Sequence, residues 1–215
     1  MASAHGFRVI LLMLVTVVGG YGVASTIAEA TSVERPEFAQ GAGPARAAPE
    51  WLTMVRPFRS DLESNHALAA ALSAAQRGES NVGGRADNQA ERSRLIRSLA
   101  VAPIDAGLWL ALAQLEFQHD PTGPDGIEAL KMAYFTGPNE QQLMAARLDT
   151  ATRFDALADP DMAEFARGDV RLMLTRAPQK AALKAAFRRA SDRGKAFLSE
   201  AIRAIDPAFL ATLRG

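Results

Sequence analysis

The sequence has no cysteine, which excludes disulfides, thiol nucleophiles and cysteine-ligated metal sites. Oxidising and reducing spaces both tolerate such a chain, so the absence leaves the compartment open. Tyr and Trp number two each, and β-branched runs are missing outside the N-terminus, so the usual strand signals are absent. No H-E-x-x-H, nucleophile elbow, Walker loop or dinucleotide fingerprint occurs. The three histidines, His5, His66 and His119, stand far apart in sequence without a carboxylate at metal-ligand spacing. His119-Asp120 reads as a helix-end pair, and Asp159 with Asp161 as helix-start charges, not as acid–base dyads. These absences point away from an enzyme and imply no cofactor or metal.

What is present is alanine and leucine, within an apolar fraction of 48%. The composition predicts an all-α protein, and 215 residues give one domain of ordinary size plus a tail or anchor. The formal net charge is zero but unevenly spread, with 11 Lys and Arg against 4 Asp and Glu from Arg167 onward.

Val9 to Ala28 carries no charge, and its central run VILLMLVTVV is long enough, with its flanks, to cross a bilayer as a helix. Two readings compete. Ala28-Glu29-Ala30 or Gly22-Val23-Ala24 offers small residues for signal-peptide cleavage, whereas the uncharged stretch running on through Gly19, Gly20 and Gly22 favours a retained signal anchor. A buried apolar helix of a soluble domain is the third, less favoured option. Arg8 on the short flank places the remainder outside the cytoplasm under either membrane reading. The expected divisions are a tail over 1–8, the membrane segment over 9–28, a flexible tether over 29–58 and a helical domain over 59–215. The tether expectation rests on Pro36, Pro44 and Pro49 among Ala, Gly and Glu without periodicity. Trp51, Leu52, Met54, Val55 and Phe58 then offer either docking onto the domain or contact with a membrane surface.

The domain reads as helical pairs. Ser60-Asp61-Leu62-Glu63 has capping-box form and starts a helix to about Gln76; Asp87 caps a second with Leu95, Ile96 and Leu99. The clearest pair runs from Pro103 to Pro138. Asp105 caps a helix with Leu108, Trp109, Leu112 and Leu115 on one face, and Asp125 with Glu128 has capping-box spacing for the next. Asn139 is expected to cap a helix extending through Phe154 and Leu157, and Asp159-Pro160 the one after it. A last pair ends at Asp206-Pro207. Pro103, Pro138, Pro178 and Pro207 act as terminators on this reading, spaced by 35, 40 and 29 residues. That mean is close to the ~34-residue period of tetratricopeptide repeats.

Trp109-x-x-Leu112-Ala113, followed by Gly126, Leu130, Ala133 and Pro138, resembles the W-x-x-L-G start and the small, large, small and proline positions of one tetratricopeptide repeat, with one extra loop residue. The flanking pairs are degenerate. The string from Pro103 through Gly137-Pro138-Asn139-Glu140 to Arg153-Phe154-Asp155 also resembles small TPR-like proteins associated with envelope polysaccharide biosynthesis in alphaproteobacteria. The resemblance implies a TPR-like helical hairpin array, an α-solenoid, behind a single N-terminal transmembrane helix. It also implies a non-enzymatic periplasmic scaffold on the bacterial inner membrane, accessory to surface polysaccharide assembly or export and partnered with a membrane polymerase or exporter. Small residues at Ala113, Gly126 and Ala133 permit close helix approach, and Trp109 reads as a packing residue before a ligand-stacking one.

Arg167, Arg171, Lys180, Lys184, Arg188, Arg189 and Arg193, joined by Lys195, recur near helical spacing and form a basic face. A solvated outer surface is the ordinary explanation of such a run. The alternative is a surface for an anionic glycan, lipid head groups or an acidic partner. Nucleic acid is disfavoured for a periplasmic domain.

Overall fold

The computed structural model describes residues 2–30, 35–38, 60–80 and 88–214. Among them are ten α-helices, one short 3-10 turn and no strand. The first helix, α1 (Ala2–Ala30), outruns the uncharged stretch at both ends. Its window Gly6–Val23 has a mean hydropathy of 1.9 and buries nothing against the rest of the chain. Phe7, Leu12, Met13 and Val17 are all more than 60% exposed. A helix apolar on every side has no core-facing stripe; its surface suits a lipid environment. The hydroxyls of Thr16 and Thr26 donate to the carbonyls of Leu12 and Gly22, both at 2.9 Å, so neither polar group needs water.

Eight helices follow in consecutive antiparallel-type pairs: α2 (Ser60–Ser80) with α3 (Gln89–Val101), α4 (Ala106–His119) with α5 (Pro124–Thr136), α6 (Gln141–Arg153) with α7 (Pro160–Leu174), and α8 (Ala177–Arg189) with α9 (Asp192–Ile205). The first members α2, α4, α6 and α8 also pack in series, each on the next. Helix α9 departs from simple pairing, because it packs on α6 and α7 as well as on α8. A short closing helix, α10 (Pro207–Arg214), lies on α9.

Two apolar cores result. One joins α2 to α5 through Leu68, Leu95, Leu108, Leu115 and Leu130 and reaches α6 and α7 at Leu143, Ala151 and Met162; the other joins α6 to α10 through Met144, Leu148, Val170, Leu183 and Leu198. Leu157, in the 3-10 turn Asp155–Ala158, packs against both. Phe117 stacks on Phe154 across the seam, with ring centroids 4.9 Å apart and planes 8° from parallel.

Local chemistry explains most boundaries. The Asp105 carboxylate accepts from Gly107 N and Leu108 N, and Asp159 from Met162 N, so both act as N-caps. Other starts differ from the sequence expectation. Gly123, not Asp125, precedes α5, because Pro124 takes the first helical position where its missing N–H is harmless, and Asp125 moves into the first turn. Glu140, not Asn139, precedes α6, after a turn closed by Glu140 N on Gly137 O at 3.2 Å. Helix α6 stops at Arg153, where Phe154 turns extended. Pro178 and Pro207 prove to be early residues of α8 and α10, so they start helices where the sequence reading has them ending helices. Asp206 caps the unexpected α10 by accepting from Phe209 N at 2.9 Å.

The tether expectation also changes at one place. Arg35 to Phe38 lies against the helical domain, with Arg35 paired to Asp105 and Phe38 packed on the first core. Asp87 and the apolar residues Trp51 to Phe58 fall outside the described residues.

Candidate functional site

The first helices of the four pairs form the walls of a cleft of about 400 Å³. Leu72, Ala75 and Gln76 come from α2, Gln114 and Gln118 from α4, Gln142, Ala145, Ala146 and Asp149 from α6, and Ala182, Ala185 and Arg189 from α8. Alanines at five of these positions leave the space open, since any larger side chain would fill it. The amides supply both donors and acceptors between these alanines. Two of them are oriented: Gln118 Nε2 donates to Ala75 O at 2.8 Å and Gln114 Nε2 to Thr150 Oγ1 at 3.3 Å. At the α6–α8 side, Asp149 receives Arg153 at 2.6 Å and Arg189 at 2.8 Å, so one mostly buried carboxylate holds two guanidinium groups. Phe38 forms part of the same lining.

The residues with repeat spacing are packing residues. Ala113, Leu130 and Ala133 are fully buried and Leu112 nearly so, while Pro138 is exposed. A Cβ on Gly126 would come within 2.8 Å of the Phe117 ring, which is the close approach that a small residue there allows. Trp109 is half-buried against the first core, and its indole N–H donates to Pro103 O at 2.8 Å.

The basic residues do not form one free surface. Arg167 pairs with Glu164 and lies 3.5 Å from Glu200, Lys180 is 3.1 Å from Asp206, Arg189 holds Asp149, and Arg193 pairs with Asp155. Lys184 Nζ donates to Thr212 O at 3.3 Å. Arg171 and Arg188 are exposed on different helices. The expected basic face is thus divided: five of its seven residues are received by carboxylates or a carbonyl of α6, the 3-10 turn, α7, α9, the α9–α10 junction and α10.

A buried polar centre lies where α5, α6 and α7 meet, and no local spacing announces it. Arg147 on α6 is completely buried. Its Nη1 donates to Gly137 O at 2.6 Å and its Nη2 to Asp169 Oδ1 at 3.1 Å, and its guanidinium lies 4.4 Å over the Tyr134 ring. One side chain therefore ties the end of α5 to α6 and α7. Burial raises the Asp169 pKa to about 6, against the opposing pull of Arg147 and the Tyr134 hydroxyl. His66 is buried in α2, where desolvation and the Arg94 charge lower its pKa. Lys131 pairs with Asp159 at 2.7 Å and reaches Asp161 at 3.5 Å, which assigns that acidic pair to helix-start electrostatics. His119 is exposed, and Asp120 turns back to accept from Thr122 N at 3.2 Å. Among the described residues no group of three or more acidic or histidine side chains is placed to hold a metal.

No protein-family model, curated protein or solved structure matches the chain.

Proposed function

We propose that the chain is a membrane-anchored adaptor whose helical pairs form a TPR-like array and whose cleft along α2, α4, α6 and α8 binds a protein partner. The observation that carries this is the lining itself. Four separate helices converge on one open cleft whose lining combines alanines with four glutamine amides and, at its α6–α8 side, the Asp149 carboxylate held by Arg153 and Arg189, a surface suited to peptide backbone and modest side chains. The serial packing of the first helices supports a concave inner face. The apolar, unburied α1 supports a single membrane span, with Arg8 kept in the cytoplasm and the domain in the periplasm. The sequence resemblance suggests the setting, as a non-enzymatic accessory to surface polysaccharide assembly or export beside a membrane polymerase or exporter.

The competing idea, an anion-binding basic face, loses support from the ion pairs that engage Arg167, Lys180, Arg189 and Arg193. The test is site-specific photo-crosslinking from Gln142 in the intact protein in its native membrane. Capture of an envelope-assembly protein from this position, and not from exposed Arg171 on α7, is the expected result. Equal capture from both positions, or from neither, would refute a partner site in the cleft.

A further inference from the structure

The segment that follows α1 already touches this cleft. Arg35 meets Asp105 in a fork, Nη1 to Oδ2 at 2.9 Å and Nη2 to Oδ1 at 2.6 Å, the geometry in which a guanidinium recognises a carboxylate most selectively. The Asp105 side chain is only 13% exposed, so the pair is partly withdrawn from water. Three residues later Phe38 packs against the first core and supplies one wall of the cleft. Pro36 between them fixes its own φ and favours an extended conformation at Arg35, so the segment arrives already shaped for a groove. Open volume of about 400 Å³ remains beside the Phe38 ring, room for several further side chains.

We infer that Arg35–Phe38 is a cis occupant of the cleft's edge, with Phe38 on its lining and Arg35 held at Asp105 outside it, and that the partner's binding segment is an extended peptide that replaces it with an aromatic side chain and an upstream cationic one. This rests on the cleft being a partner site. The open volume gives the incoming segment a first foothold beside Phe38, after which its own aromatic and cation compete for the two contacts. Because the cis segment is part of the same chain, it competes at a high local concentration. A competitor facing a site occupied nine-tenths of the time binds about tenfold more weakly than to the vacated site.

The test uses the full chain in detergent micelles and a fluorescent peptide reproducing residues 33–40. Arg35→Ala/Phe38→Ala is expected to bind the peptide about tenfold more tightly than the unmodified chain, and a peptide with alanine in place of its phenylalanine is expected to lose binding. Asp105→Ser is a second variant that keeps an N-capping side chain on α4 while removing the carboxylate that the peptide's own arginine would use; added to the double variant, it is expected to weaken peptide binding. Ala146→Trp, which fills the cleft, should abolish binding in the double-variant background. Equal affinity for the unmodified chain and the double variant, or no binding to either, would overturn the cis contact. The Gln142 crosslinking result separates the two proposals. Partner capture that is identical with and without Arg35 and Phe38 leaves the partner site standing and removes the cis occupant, whereas peptide binding without partner capture does the reverse.

Discussion

Arg147 and Asp169 make the residue-scale energetics of this domain unusual, because a buried charge pair stands where helices α5, α6 and α7 meet. Removing one member strands the other in a low-dielectric interior, so Arg147→Ala and Asp169→Ala should each destabilise by about 3–5 kcal/mol in denaturant titrations. The double variant Arg147→Met/Asp169→Leu should recover most of that loss, since the desolvation penalty disappears along with the attraction. The pH dependence of this site has an uncommon sign. The folded-state pKa of Asp169, about 6, exceeds its ordinary 3.8, so the folded chain binds the extra proton between these values and this group's contribution to stability falls as pH rises through the window. Asp159 and Asp206 act oppositely: Lys131 lowers the first and the Phe209 N–H chiefly lowers the second, so each stabilises above its ordinary pKa and loses that contribution as pH falls. Stability measured from pH 4 to 7 should show the deficit of Asp169→Asn relative to the unmodified chain shrinking as pH rises. Gly194 offers a steric test. A Cβ there would lie 2.1 Å from the Thr152 carbonyl oxygen, which also accepts from the Ser191 N–H and hydroxyl. Backbone cannot yield as a flexible side chain does, so Gly194→Ala should lower stability by about 1–3 kcal/mol, read as a reduced melting temperature.

At the scale of elements, the seam between α4 and α6 includes, beside the buried Leu143 and Ala151, an aromatic pair and a polar contact, Phe117 on Phe154 and Gln114 on Thr150. A double-mutant cycle with Phe117→Leu and Phe154→Leu should return a coupling of about 0.5–1.5 kcal/mol, and an additive result would deny the stack any role in joining the two cores. The elements themselves were largely legible in the sequence. Asp105 and Asp159 were readable as caps because each stands just before a periodic run, whereas Asp125 and Asn139 misled because Pro124 and the Gly137–Glu140 turn set those starts. Helix α10 is not legible in the sequence because Pro207 looks like a stop from one side and is a first helical residue from the other. The site was less legible. Alanines that keep a cleft open look identical in sequence to alanines that fill a core. The partners of the basic residues were also out of local range, with Arg189 and Asp149 separated by 40 residues, Arg193 and Asp155 by 38, and Lys180 and Asp206 by 26.

On the scale of the whole molecule, α1 and the helical domain have incompatible surfaces, one apolar on every side and the other presenting many paired charges. The proposed anchoring predicts that a reporter fused after Gly215 is active in its periplasmic form. Activity of a cytoplasmic reporter alone would reverse the orientation. The contact of Arg35 with Asp105 then acquires a geometric consequence for a protein fixed in a plane. Ala30 and Arg35 are separated by five backbone steps, which reach at most about 17 Å, whereas thirty steps to Ser60 reach at most about 100 Å. If α1 spans a membrane as proposed, Arg35 held keeps the domain close to that membrane, and Arg35 released raises the distance limit roughly sixfold. Occupancy of one ion pair would thus set the radius over which an anchored molecule can search for its partner.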